Sequence, residues 1–533
     1  MNTDEHRHKN LFLKRERSVP ISVHRWLTKS FPFFAFLFFS ILFPGASSAR
    51  EAHLTILFTN DHLGQVDPLH TDDPSKPVGG VTRRAALIKR IAQEVGPKNI
   101  LLVDSGGMFT GTAFSAMTEG QVDCAAYQLM QYDAVGLGPH DFDYGKKTLL
   151  DYRKTFRIPW VSANAVVRNN FQNFMRPYVL KYAGVRVGMI GFSNPDTPSL
   201  TRRDNVSGLI FNPPGASAKG LHSILKKDAD LFIALSQSGL EADKKFAKDN
   251  PFLHVIIGGY SRTLMTKAVV ETKADGSLAG PLIVQAGSQG LYLGRLDLTL
   301  EGHRDPKTKK EAYFIQDYKY QLIPITSDLP EDPPMVDLLA KYKEKLRSKP
   351  LDEVLAAVNG DFTGNSEGDS LIGEISADAL RKAAQSEIAL LNNGFFRSSF
   401  KSGDLTREIL YQVCPSDSEI TVIDVPGIDL RKALEGSATQ KGQDGFLQIS
   451  GLKVQKTGDQ LEILVGEEPL NDRRKYRVAV DDFLAGGNGG YEFFRKLKSR
   501  RKIQVSLRDL LEDALKEKQK ISPADLEKRW ALQ

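Results

Sequence analysis

From Arg50 onward the chain alternates short apolar runs with longer amphipathic segments. Leu54-Thr55-Ile56-Leu57-Phe58 reads as a buried strand ending in the turn-rich Thr59-Asn60-Asp61-His62. A helix is expected over 82–95, where Ala85, Leu87, Ile88 and Ile91 fall near helical spacing. Further apolar runs at 100–103, 134–137, 187–190, 231–235 and 255–257 each stop at polar or glycine residues. Strands covered on both faces have this pattern, and in open α/β sheets the functional residues sit at strand ends. The pattern predicts an α/β protein.

The rhythm breaks near 326–350. Asp328-Leu329-Pro330-Glu331-Asp332-Pro333-Pro334 is a breaker cluster, followed by a helix with Met335, Leu338, Leu339, Tyr342 and Leu346 on one face and charges on the other. A charged helix with a narrow apolar stripe between domains reads as a connector. From 351 to 500 a second α/β region follows, with strands such as Ile388-Ala389-Leu390-Leu391 and Tyr476-Arg477-Val478-Ala479-Val480. The end reads as helical: Ser506 can cap a helix carrying Leu507, Leu510, Leu511 and Ala514, and Ser522-Pro523-Ala524-Asp525 is a capping box. The expected division is a leader at 1–49, a first domain at 50–326, a linker helix at 327–350, a second domain at 351–500 and a helical tail at 501–533. No repeat or low-complexity segment interrupts it.

Composition narrows the function classes. A chain of 533 residues is too long for a single core. A net charge of +6 from 71 basic and 65 acidic residues says little about partners, and no basic stripe with interleaved aromatics suggests nucleic acid. Before Arg50, Lys14, Arg15, Arg17 and Arg25 precede an apolar run at 31–43, too short for a bilayer span of ~20 residues. Ser47 and Ala49 fit a signal-peptidase site, so export to a periplasmic or extracellular location is expected, with no stable membrane span after cleavage. Cys124 and Cys414 lie far apart and lack the neighbours of a metal ligand or nucleophile; both read as small buried hydrophobes.

Five strand ends carry the chemistry: Thr59-Asn60-Asp61, Asp104-Ser105-Gly106-Gly107, Gly138-Pro139-His140-Asp141-Phe142-Asp143, Ser236-Gln237-Ser238-Gly239 and Gly258-Gly259-Tyr260-Ser261-Arg262. In this order they resemble the calcineurin-like metallophosphoesterase domain of the secreted 5'-nucleotidase family. Ile375-Ser376-Ala377-Asp378-Ala379, Asn392-Asn393-Gly394-Phe395-Phe396-Arg397 and Phe483-Leu484-Ala485-Gly486-Gly487 resemble that family's nucleotide-recognition domain. The resemblance implies a four-layer αββα sandwich, a linker helix and a C-terminal α/β domain. It also implies hydrolysis of nucleotide phosphoesters by two divalent ions that activate a water for in-line attack.

Position by position, the metal shell that this resemblance implies is mostly absent. Asp61 matches the first-strand ligand, but the family's His two residues later is Leu63, and His62 is one place off and aimed the other way. The bridging carboxylate falls on Gly107, the amide ligand on Pro139 and a His ligand on Gln237, while the last pair falls on Tyr260 and Arg262. Asp61 alone cannot hold a binuclear centre, so ions are expected to be absent or weakly held. His140 and Asp143 keep the spacing of the family's catalytic His–Asp pair. Arg397 and Phe483 match substrate-binding positions, whereas the partner aromatic falls on Ser416.

A loop metal site from His70 with Asp67, Asp72 and Asp73 reads more simply as solvated loop. Three readings follow: a degraded family member that keeps its two-domain cleft and binds a ligand or partner, with a nucleotide or related phosphoester as a candidate ligand; a working phosphoesterase active on nucleotides or related phosphoesters; or a purely structural interaction protein. The residues name no protein partner.

Overall fold

The computed structural model describes residues 50–69, 73, 75–170, 172–182, 184–274, 277–304, 311–361, 368–396, 399, 402–414, 418–457 and 460–532. The expected leader, His70 and Asp72, Arg397 and Ser416 lie outside them. Among the described residues, no helix is long and apolar enough to cross a membrane.

Period-two alternation builds the first half. In Arg50–Thr59, Leu54, Ile56 and Phe58 face one core while Leu57 faces another. Leu101 and Val103 divide from Ile100 and Leu102 in the same way. The first sheet runs Glu311–Pro324, Tyr292–Arg304, Arg50–Thr59, Ile100–Asp104, Ala134–Val135. The second runs Leu282–Val284, Val255–Gly258, Leu231–Ser236, Val185–Phe192, Tyr178–Tyr182. Leu231, Ile233, Leu235, Val255 and Ile257 meet the first sheet's Leu54, Ile56 and Phe58 in a shared central core. Helix Val81–Val95 covers the outside of the first sheet, and Leu240–Asp249 contributes to the outer core of the second. The result is the expected four-layer αββα sandwich.

Parallel register aligns the ends that matter. Thr59 pairs with Asp104 and Asp104 with Val135; Phe192 pairs with Ser236 and Ser236 with Gly258. The loops leaving these strands therefore emerge along one edge.

Helix Pro333–Lys345 forms where the amphipathic stripe predicts it, but it is no free connector. Met335 and Leu339 are buried in the first sheet's outer core, with Leu338, Tyr342 and Leu346 packed around them.

In the second half, the five-stranded sheet orders Leu447–Ser450, Ile388–Asn392, Lys475–Asp481, Glu419–Pro426, Arg500–Ser506. Helices Leu371–Ala384 and Leu507–Lys518 cover one face, and Gly427–Ala438 covers the other. Ser370 and Ser506 cap the first two through their hydroxyls. Cys124 and Cys414 are both buried and unpaired, and burial pushes each thiol up.

The tail departs from the all-helical expectation. Arg500–Ser506 is an edge strand of the main sheet, Lys520–Ile521 pairs with Val354–Val358, and Trp530–Ala531 pairs with Leu452–Thr457. The Ser522–Asp525 capping box forms, but it opens only the single 3-10 turn Pro523–Asp525. Strand pairing to distant partners overrides the local helix signal there. Trp530 anchors this strap: its Nε1 donates to Leu447 O at 2.9 Å, and its ring lies 5.0 Å from Phe446. Trp530→Ala is expected to cost about 3 kcal/mol and to lower the urea midpoint read by far-UV circular dichroism. An unchanged midpoint would show the strap to be dispensable.

Candidate active site

Asp61 stands at the end of the first strand, 3% exposed, with a left-handed backbone at φ 49°. Its carboxylate is surrounded by N–H donors. Asn60 Nδ2 donates at 2.9 Å, the Tyr260 backbone N at 2.8 Å and Gln237 Nε2 at 3.4 Å. Burial pushes the carboxyl up to about 6, and these donors together with the Arg262 charge oppose the shift.

Gln237 is the residue that fills the place. It is 1% exposed, and its Nε2 also donates to Gly106 O at 2.9 Å and lies 3.4 Å from Ser105 Oγ. A Cβ added at Gly138 or Gly259 would come within 2.4 Å of the Gln237 amide, so no spare volume lies on those sides. A Cβ at Gly107 would sit 2.9 Å from Asp61 Oδ1, so position 107 does face Asp61, as the resemblance expects of a bridging carboxylate. A dication needs several oxygen or imidazole donors aimed at one point. Here N–H groups are aimed at the single carboxylate instead, and the residues present do not fit a pair of ions. Among the described residues, no three His, Cys, Asp or Glu side chains are grouped to hold a metal.

His62 turns inward, as a one-residue offset predicts. It is fully buried, with Nε2 3.2 Å from Asp123 and its ring 5.5 Å from Tyr127. Burial, followed by the Arg84 charge, pushes its pKa down.

His140 lies in the 3-10 turn Pro139–Phe142. The buried Asp141 carboxylate fixes that turn by accepting from the backbone N of Gly107, Met108 and Gly138 at 2.6–2.9 Å. His140 Nδ1 is 2.9 Å from Asp143 Oδ2, and Thr110 and Thr201 donate to the same carboxylate at 2.7 and 3.1 Å. With Nδ1 donating to Asp143, Nε2 is the atom His140 offers outward.

Outward is a cleft of about 630 Å³ between the two halves. His140, Asp143, Tyr260 and Arg262 line one side, and Asn392, Phe395, Asp444 and Phe483 line the other. Three of the expected site residues (His140, Asp143 and Phe483) thus meet on one cavity, while Asp61 lies beneath it.

Sequence reasoning missed the residues that bring the halves together. Arg202 forms an ion pair with Asp482, and Arg203 Nε donates to Asn488 Oδ1 at 3.0 Å. The only local signal was two adjacent arginines. Helix Ala113–Met117 also packs on Arg407–Val413 across the same boundary.

A double-sheet sandwich with strand-end loops facing a second α/β domain defines the metallophosphoesterase-plus-nucleotide-domain class. Residues 353–496 match the family model for the 5'-nucleotidase C-terminal domain. The chain is 26% identical to Protein 5NUC of Lutzomyia longipalpis, over 90% of this chain and 93% of that protein. It is 27% identical to a snake venom 5'-nucleotidase of Naja atra, over 88% and 97%. The solved 5'-nucleotidase precursor of Thermus thermophilus aligns with a TM-score of 0.73 and 28% identity, covering 90% of this chain and 99% of that one. Residues 353–496 thus match the 5'-nucleotidase C-terminal domain, and nearly the whole chain is similar in sequence and fold to 5'-nucleotidases.

One buried carboxyl near the site sets a pH response. Asp243 is fully buried, with Ser236 Oγ donating to Oδ1 at 2.5 Å, and burial pushes it from 3.8 up to about 7. A folded pKa above the unfolded one means that this group's contribution is greatest below the unfolded value. It is then lost as pH rises to the folded value. Asp243→Asn is expected to gain stability relative to the native chain between about pH 4 and about pH 7, by at most about 4 kcal/mol. Urea midpoints across that range read the effect, and a difference independent of pH would overturn it.

Proposed function

We propose that this family member binds a nucleotide or related phosphoester in the cleft between its halves and has lost metal-dependent hydrolysis. The observation that carries this reading is the Gln237 amide, which lies against Asp61, Ser105 and Gly106 where the family resemblance puts the ions. The positive ends of three N–H dipoles satisfy the carboxylate that a dication would otherwise hold. A guanidinium at position 262 adds electrostatic opposition to a second cation.

Binding is supported by the cleft's composition. Phe483 supplies an aromatic face from the second half, and stacking on such a face contributes ~1–3 kcal/mol per base. Asn392 and Asp444 add polar groups to that wall. Arg397 joins this proposal from the sequence resemblance alone.

A working phosphoesterase is the second reading, and the intact His140–Asp143 pair at 2.9 Å favours it. General acid–base help of this kind is worth ~10²–10⁴-fold. In the first reading the pair orients Nε2 toward a bound ligand without turnover.

One sample decides between them. Purified chain dialysed against Mn²⁺ or Zn²⁺ is expected to retain far less than one ion per chain. Its release of phosphate from AMP, a UDP-sugar or a chromogenic ester is expected to match that of His140→Ala. Two tightly held ions per chain, or hydrolysis that His140→Ala abolishes, would establish the second reading instead. Export completes the proposal: the N-terminus of the secreted chain is expected at Arg50, and an intact leader on the exported protein would refute it.

A further inference from the structure

The substitutions at the last strand end do more than exclude ions. Val255–Gly258 ends in Gly259, after which Tyr260 and Arg262 both take left-handed backbone at φ 70° and φ 53°. For residues with a Cβ this conformation is uncommon and costs energy, and such outliers cluster at ligand sites. Asp61 and Leu63 share it at φ 49° and φ 53°. The Tyr260 backbone N is committed to Asp61, which fixes the path of the loop.

Arg262 follows two residues later and lines the same cleft as His140. Its charge reaches Asp61, whose ionised form it favours. No carboxylate lies within ion-pair distance of it among the described residues. The cleft's other two described arginines are differently engaged: Arg202 pairs with Asp482, while Arg508 lies 3.8 Å from the Tyr411 ring and donates to Cys414 O. Arg262 is therefore a permanent cation outside ion-pair distance of any described carboxylate, in a cavity also lined by His140, Thr110 and Thr201 and by the carboxylates of Asp143 and Asp444.

Resting on the nucleotide-binding reading above, we propose that Arg262 stands in for the metal pair as the cationic anchor of this cleft and holds the phosphoryl group directly. A guanidinium presents N–H donors in a planar fork that matches two phosphoryl oxygens, and charge-assisted bonds of this kind are about twice as strong as neutral ones. His140 Nε2 faces the same group. The ligand class is a phosphate monoester carrying a planar ring, with the anion at Arg262 and the ring toward Phe483. No bond is made or broken, and binding requires no metal.

The test is calorimetric titration of the full chain with AMP, adenosine and inorganic phosphate, each in excess EDTA and again with Mn²⁺. AMP is expected to bind equally in both conditions and more tightly than adenosine. Arg262→Ala and Arg262→Gln are expected to weaken AMP about 10- to 100-fold and leave adenosine unchanged. Arg262→Lys is expected to fall between. Thermal melts matching the native chain exclude misfolding of the exposed-loop variants.

Equal AMP affinity in native chain and Arg262→Ala would overturn the proposal, and so would AMP binding that EDTA abolishes. Adenosine binding as tightly as AMP would overturn Arg262's role while leaving the cleft as a nucleoside site. Binding of none of the three probes would remove the nucleotide reading as well.

Discussion

A carboxylate taken out of water must find hydrogen-bond donors or a cation, because leaving it bare costs several kcal/mol. Asp61 finds donors, and much of the site depends on where they come from. Asn60 belongs to the first sheet's loop and is itself tied to Ala286 and Gly287. Gln237 leaves a strand of the second sheet, and Tyr260 leaves its neighbour. One buried charge thus gathers loops from both sheets along the common carboxyl edge. The floor of the cleft is held by amide dipoles.

Above that floor, the cleft owes its shape to contacts between the halves. The Asp481 side chain caps the short helix Asp482–Ala485 by accepting from Leu484 N at 2.9 Å. Asp482, next in sequence, takes the ion pair from Arg202, and Phe483 follows directly. The aromatic wall is therefore placed by the same turn that closes the interface. Burial pushes Asp481 up to about 7, with the neighbouring Asp482 adding to the rise.

Much of this was legible in the residues. Alternating burial in strands such as Leu54–Phe58 needs only the period of two, and the His140–Asp143 contact needs only a tight turn over three residues. That Leu63, Gly107 and Pro139 carry no side-chain donor atom, and that position 237 holds an amide, could be read directly. What Gln237 does instead could not, because its reach to Gly106 O depends on how closely two sheets approach, and no local rule supplies that. The same holds for Arg202 and Arg203, whose partners lie far along the chain, 285 residues later in the case of Arg203 and Asn488. The tail misled for a related reason: Ser522 and Asp525 obey their capping rule, yet pairing of Lys520–Ile521 and Trp530–Ala531 with remote strands decides the outcome.

The fit of Gln237 against its glycine neighbours also limits which changes the site can accept. A carboxylate introduced at position 107 alone would stand beside Asp61, and like charges so close resist ionising together. A side chain at 138 or 259 would collide with the amide before any ligand could form. Removing Gln237 first would strip Asp61 of a donor and open a buried polar hole. Each of these single changes is unfavourable until the others are in place, so the packing acts as a ratchet: substitutions around this arrangement are tolerated singly, whereas substitutions within it must come together.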